Sequence, residues 1–298
     1  MKETSNIMQY FKTRINSKHN LFDLHIRETL SYRDLIWLFV KRDFVSKYKQ
    51  TVLGPAWALI QPLLTTFVYT LVFGGLAGLT TADVEGDYVI PGFLFYLSGS
   101  ICMSYFSTTL TATSGTFLYN SGIMGKVYYP RLVTPIATAI SHVISFGIQF
   151  AMLLVAWIVY FFIGGTSLKI TPMLLFLPLV ILEMMLLATG LGIIISSVTT
   201  KYRDLQMLVG FGLQLWQYAT PIAYGLTLVS ASARFSKYMF LYQLNPMTPI
   251  VTTFRYAIFG VGYFNLTYYL ISWVFTIVVF IIGLILFSRI ERTFMDTI

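Results

Sequence analysis

Lysine and arginine are absent from residues 50–125, in a chain of 298 residues whose formal net charge is +8. Only Asp83, Glu85 and Asp87 carry charge in this stretch. The apolar runs flanking that acidic trio each exceed the ~20 residues that a helix needs to cross a bilayer. Charge is scarce throughout, at 11% against 56% hydrophobic residues, and the mean hydropathy is +0.73. So few charges cannot coat a water-soluble surface of this size. Composition therefore points to an all-α polytopic membrane protein. The single Cys102 excludes a disulfide framework; inside an apolar run it reads as a packed thiol.

Residues that carry chemistry are equally few. His19, His25 and His142 form no ligand cluster, and no two carboxylates share a depth in the apolar runs. No phosphate-binding loop is present: residues 122–127 (GIMGKV) lack the spacing and the Ser/Thr after the lysine. A membrane hydrolase or acyltransferase needs positioned acids, bases or a nucleophile, and no such set can be assembled. The chain is thus expected to do no covalent chemistry, hold no cofactor or metal, and hydrolyse no nucleotide. Glu183 is the one carboxylate within a span. An acid at the bilayer centre costs about 2.5–3.5 kcal/mol on insertion scales. It should face protein or a water-filled cavity, as a hydrogen-bonding group or as a proton or ion site. His142 and Gln149, seven apart, share a face of their span that should turn inward.

Six spans are expected, over residues 53–79, 89–118, 132–163, 173–198, 205–228 and 266–287. A seventh apolar stretch, 239–262, is interrupted by Pro246, Pro249 and Arg255, and proline inside a helix removes backbone hydrogen bonds. With six spans, most of the 20 Lys/Arg fall on the side of the N-terminus, which the positive-inside rule makes cytosolic. Both termini then lie in the cytosol, and 239–262 dips into the outer leaflet and returns. Broken backbone at that depth must be satisfied by protein or water, so this segment should pack inside the protein. The first 27 residues are polar and lack the apolar core of a signal peptide.

Residues 28–50 read as an amphipathic helix in the headgroup plane. Ile36, Val40, Phe44 and Tyr48 repeat at i+4, with Arg33, Lys41, Arg42, Lys47 and Lys49 on other faces. Ser31 before Asp34 resembles an N-terminal cap, and Gly54-Pro55 marks a bend before the first span. The chain divides into a cytosolic segment (1–27), this interface helix (28–50) and a transmembrane domain (51–298).

Five strings together resemble the ABC-2 type permeases of bacterial surface polysaccharide exporters. RDFVSKYKQTVLGPAWALIQP (42–62) is similar to their junction of interface helix and first span. NSGIMGKVYYPRLVTPI (120–136) and KYRDLQMLV (201–209) resemble two cytosolic loops. WQYATPIAYGL (216–226) and LNPMTPIVTTFRYAIFG (244–260) resemble the end of the fifth span and the outer re-entrant segment. The strings occur in the family's order and cover nearly the whole chain; residues 1–27 carry none. The resemblance implies two copies of this chain with two copies of a separate ATPase that holds the ATP and magnesium. It implies as cargo an undecaprenyl-linked glycan such as O-antigen, leaving the bacterial inner membrane; teichoic acid and capsule remain alternatives. No nucleic-acid partner is implied.

On this footing, residues 120–131 are expected to form a coupling helix seated on the ATPase: Asn120, Gly122, Met124, Gly125, Lys126, Tyr128, Tyr129, Pro130 and Arg131. The interface helix is a second ATPase contact, and its cations suit an anionic pyrophosphate linker or anionic membrane lipids. Aromatics make up 17% of the chain. Trp37, Trp57 and Trp157 fit interfacial belts. Because sugars pack on rings and need hydrogen-bond partners, Tyr96, Tyr105, Thr109, Gln214 and Gln217 are candidate pore-lining residues. Asn245, Pro246, Pro249 and Arg255 are a candidate outer gate, broken into half-helices, with Arg255 near the exit. Gly74 and Gly78 have the small-residue spacing of close helix approach. The rival readings are an exporter of a small lipid or drug, a proton-coupled transporter using Glu183, and a membrane enzyme of glycan assembly. The last would need carboxylates or histidines at one membrane surface, which are not found.

Overall fold

The computed structural model describes residues 26–76, 90–124, 126–163, 171–199, 202, 204–231 and 236–293. The described residues are helical, without strands. The acidic trio, Gly78, Gly125, Lys201 and Arg203 lie outside them.

The chain begins with α1 (Ile26–Ser31) and α2 (Arg33–Tyr48), so the expected interface helix is divided at Tyr32. Ser31 is not a cap: its hydroxyl donates back to the Glu28 carbonyl at 2.6 Å and closes α1. Ile36, Val40, Phe44 and Tyr48 do share the inward face of α2. The outward face is less polar than expected, because Trp37, Leu38 and Val45 lie exposed beside the cations. A headgroup environment suits this mixture of apolar stems and charge. Gln50 (φ 66°) and Gly54 (φ 53°) turn the chain, and a 3-10 turn over Gly54–Ala56 opens α3 (Trp57–Tyr69), which continues as a π-helix over Thr70–Leu76. The bend expected at Gly54-Pro55 is therefore present.

Four helical runs are long and apolar enough to cross a membrane: Gly54–Leu76, Val133–Phe162, Pro172–Thr199 and Leu266–Ile290. Within them lie α3, α6 (Val133–Phe162), α7 (Leu177–Thr199) and most of α12 (Leu266–Thr293). The protein is a multi-pass membrane protein. The expected second span is α4 (Gly92–Ser114), followed by α5 (Thr116–Met124). Rich in Ser and Thr, α4 is less apolar than the four, yet it is the most buried of the long helices. Several of its hydroxyls are satisfied locally. Ser98 donates to Phe95 O (2.8 Å), Thr108 to Ser104 O (2.7 Å) and Thr113 to Thr109 O (2.7 Å). Such back-bonding lets polar residues sit in a core.

The expected fifth span, 205–228, is not one helix. α8 (Leu205–Ala219) stops after 15 residues, about 22 Å at 1.5 Å per residue, short of the ~30 Å hydrocarbon core. Thr220 is extended (ψ 139°) as the residue before Pro221, where sterics disfavour the helical region. A short α9 (Leu226–Ala231) follows. Next come α10 (Met239–Leu244) and α11 (Met247–Phe259), broken at Asn245-Pro246 as expected. Pro249 does not break the segment; it lies in the first turn of α11, where a missing N–H costs little. Nearly every residue of α11 is buried, so that part of the stretch packs inside the protein, whereas Phe240, Leu241 and Leu244 of α10 lie exposed.

Close helix approach is seen between α7 and α12. A Cβ on Gly74 would meet only the Tyr96 ring, at 3.9 Å. On Gly190 it would lie 2.9 Å from Phe280 Cα, and on Gly283 2.8 Å from the Gly190 carbonyl. The backbones of α7 and α12 thus touch, as small residues permit in a membrane.

Candidate functional site

The inner face of α2 lies on α6, with Tyr48 and Ser145 sharing a hydrogen bond of 2.9 Å. Where α2, α3, α4 and α6 meet, they leave a hollow of 310 Å³ with polar side chains set in its wall. Trp57, Gln61, Ser104, Tyr105, His142 and Gln149 are among the residues that line it. A second hollow of 350 Å³ is lined by Arg42, Asp43, Tyr119, Asn120 and Ser141, among others. Lys47 and His142 line both, so the two form one groove running from α5 towards the start of α3. Arg42 is paired with Asp43 (2.8 Å) and stacked on the Phe39 ring at 4.4 Å. Lys47 forms no ion pair among the described residues; its ammonium lies 5.5 Å from the Tyr48 ring centroid. Gln149 donates to Ala58 O at 2.9 Å, while its carbonyl oxygen, like His142 Nδ1, is buried without a hydrogen-bond partner among the described residues.

The expected coupling helix is helical only to Met124, as the end of α5; residues 126–131 form a turn and an irregular strap. Asn120 donates to Thr116 O (3.0 Å) within α5. Gly122 faces open space, and Gly125 lies outside the described residues. Lys126 and Tyr128 are exposed, Tyr128 by 83%, whereas Tyr129, Pro130 and Arg131 are buried. The Tyr129 ring packs edge-on against Phe39 at 5.6 Å, and its hydroxyl shares a hydrogen bond with Thr134 (3.2 Å). The two regions read as ATPase contacts, α2 and the strap, are thereby joined through one aromatic pair. Arg33, Lys41, Arg42, Lys47 and Lys49 are all exposed on α2 and its end.

The five residues read as pore-lining are not brought together. Tyr96 and Thr109 are sealed in the core. Tyr105 borders the first hollow and donates to Ala139 O at 3.3 Å. Gln214 faces outward on α8, and Gln217 is tied to the Tyr69 hydroxyl at 2.6 Å. Gln61, Ser104 and Thr108 of the hollow were missed. The recurrence of His142, Ser145 and Gln149 along one face of α6 was the available signal.

Arg255 lies in the core of the protomer. It is 2% exposed and donates to the carbonyls of Pro221 (2.6 Å), Ile222 (3.0 Å) and Phe95 (3.1 Å) and to Ser98 Oγ (3.2 Å). Asn245 accepts from Trp216 Nε1 (2.8 Å) and donates to Ala219 O and Thr220 Oγ1, each at 3.2 Å. Both side chains therefore bind the broken end of α8. Glu183 is fully buried and accepts a hydrogen bond from Ser272 Oγ, linking α7 to α12.

The ABC-2 type transporter family model matches residues 34–259. An "O-antigen export system permease protein RfbA" of Klebsiella pneumoniae is 25% identical over 275 residues, covering 92% of this chain and 98% of the relative. A second protein of that name and organism is 26% identical over 267 residues, 88% and 94% of the two chains. One from Myxococcus xanthus is 28% identical over 236 residues, 78% and 83%. With a match from α2 to the end of α11, the chain belongs to the ABC-2 type transporter family.

Proposed function

We propose that this chain is the membrane-spanning permease subunit of an ATP-driven exporter for an O-antigen-like, lipid-linked polysaccharide. The observation that carries this reading is its near full-length similarity to O-antigen export permeases. Two copies of the chain form the passage, in the inner membrane of a bacterium, and two copies of a separate ATPase supply the energy. The chain crosses the membrane six times: by the four long apolar helices, by α4 at their centre, and by α8 with its continuation. α10 and α11 return to the outer side, and both termini lie in the cytosol. The exposed half of the strap, Lys126–Tyr128, suits a protein contact, and its buried half, Tyr129–Arg131, suits transmission of force into α2. Asn245, Pro246, Pro249 and Arg255 form the outer gate, held by the hydrogen bonds to the end of α8.

Deleting the chain should remove polysaccharide from the cell surface, and the wild-type gene should restore it. Unchanged surface glycan would refute the reading. Replacing residues 124–128 by Gly/Ser should abolish co-purification of the ATPase while leaving the chain in the membrane. Intact ATPase binding would remove the coupling role of the strap.

A further inference from the structure

The groove on α2 differs in composition from the hollow between α8 and α7. The hollow between α8 and α7 is lined almost wholly by apolar side chains, such as Leu208, Leu213, Ile194 and Val198. The groove instead combines a cation, amides, hydroxyls and exposed rings. We infer that it binds the phosphorylated sugar head group of a lipid-linked glycan within a single protomer. Lys47 is the phosphate anchor, and Trp57, Gln61 and Gln149 form the sugar subsite. This rests on the polysaccharide-export reading above and names where its substrate is first held.

Five observations carry the assignment. The cations lining the groove are Arg42 and Lys47, and Asp43 already satisfies Arg42. Lys47, at the seam of both hollows, has no ion pair among the described residues, so an incoming phosphate meets an available ammonium. The Gln149 carbonyl oxygen is an acceptor without a partner, on a residue only 6% exposed. A buried acceptor left unpaired is costly, and a sugar hydroxyl can supply its donor. Trp57, at 51% exposure, presents an indole on the rim, and Gln61 stands one helical turn further along α3. An indole face suits the C–H face of a hexose, and an amide suits its hydroxyls. The first hollow, at 310 Å³, lies within the ~300–1,000 Å³ range of small-molecule sites. The apolar residues exposed on α2 and α3, such as Trp37, Leu38 and Leu64, leave a lipid tail in hydrocarbon while its head group enters the groove.

The test uses the full-length chain in nanodiscs and four probes: a short polyprenyl diphosphate bearing one hexose, the same diphosphate without sugar, phosphatidylglycerol, and free hexose 1-phosphate. The hexose-bearing diphosphate should bind tightest. Lys47→Gln should weaken both polyprenyl diphosphates about tenfold, the loss of one charge-assisted contact. Trp57→Ala and Gln61→Ala should weaken only the sugar-bearing probe. All three positions are exposed, and the variants should keep the wild-type unfolding midpoint. Equal binding of sugared and bare diphosphates would overturn the sugar subsite. Equal competition by phosphatidylglycerol would reduce the groove to a phospholipid site, and insensitivity to Lys47→Gln would overturn the anchor. Surface glycan lost on deletion, with probe binding unaltered in all three variants, would remove this site and leave the permease reading. Probe binding as expected, with surface glycan unchanged on deletion, would do the reverse.

Discussion

Arg255→Met retains most of the side-chain volume of Arg255 and removes its donors. The fate of each acceptor sets the cost. Phe95 O keeps the hydroxyl of Ser98 at 2.8 Å, and Ser98 Oγ can turn within its own helix. Pro221 O and Ile222 O lose the guanidinium, which reaches them at 2.6 and 3.0 Å across the break between α8 and α9. Each orphaned buried carbonyl costs about 1–3 kcal/mol, hence ~2–6 kcal/mol for the pair. Removing a desolvated cation offsets part of this. The ring of Phe95, 3.6 Å from the guanidinium carbon, returns some of that offset through its lost cation–π contact. A net loss of about 2–4 kcal/mol is expected. Arg255→Lys should recover only part of it, because an ammonium lacks the planar fork. Gly99→Ala attacks the same joint from the other side, since its Cβ would lie 2.5 Å from Arg255 Nη2 and 3.0 Å from Ile222 Cγ2. The two sites share one contact, so their effects should be non-additive by at least ~0.5 kcal/mol in a double-mutant cycle. Denaturation in mixed detergent micelles, followed by circular dichroism, measures wild type and the four variants. An Arg255→Met variant within ~0.5 kcal/mol of wild type, the usual range of an inconsequential surface change, would refute the reasoning.

Asn245→Ala should destabilise the chain by about 1–3 kcal/mol in the same assay, because it unties Trp216, Ala219 and Thr220 at once; wild-type stability would show that these bonds do not hold the end of α8. Gly190→Val should prevent α7 and α12 from closing, since the nearest atoms are backbone rather than movable side chain. The expected result is loss of monodisperse protein on size exclusion, while a variant that elutes as wild type would refute the contact. Phe39→Ala should lower co-purified ATPase without preventing membrane insertion, because it removes the ring on which Tyr129 rests; full ATPase recovery would detach α2 from the strap.

The long apolar spans were legible because their hydropathy needs no partner to be read. The bend at Gly54 was legible because a left-handed backbone is a local demand that glycine meets locally. The inward face of α2 followed from its i+4 repeat. Three features were not legible, for separate physical reasons. α4 looked like an ordinary span because Ser98, Thr108 and Thr113 hide their polarity in their own helix, which made it fit for the centre of the fold. Pro221 signals the end of α8 at Thr220 locally, but the carbonyls of Pro221 and Ile222 are satisfied by Arg255, 33 to 34 residues downstream, and no local pattern announces a distant donor. The residues read as pore-lining were chosen by type alone, yet a ring and an amide on a span can face core, lipid or cavity. His142, Ser145 and Gln149 point into the groove because helical spacing sets them there together, and spacing was the better guide.

One helix connects the two places on which the proposed activity depends. Phe39 of α2 carries the Tyr129 contact, and Lys47 and Tyr48, eight and nine positions on, border the groove. At 1.5 Å per residue the separation is about 12 Å, spanned by an unbroken helix. A displacement of the strap by an ATPase would therefore reach the head-group groove as a rigid shift of α2 rather than through a chain of side-chain rearrangements. Replacing Val45 and Ser46 by glycine tests this, since both are exposed and the change loosens the rod without altering its length or register, so both contact points stay in place. Each glycine costs about 1 kcal/mol in a helix interior, small enough for the chain to fold. The variant should preserve ATPase co-purification and leave probe binding within about twofold of wild type. It should lower surface polysaccharide in a complementation assay. Normal export from the variant would show that force does not travel along α2, and would move the search for the coupling route to α5, whose Tyr119 accepts a hydrogen bond from Gln206 of α8 at 2.9 Å.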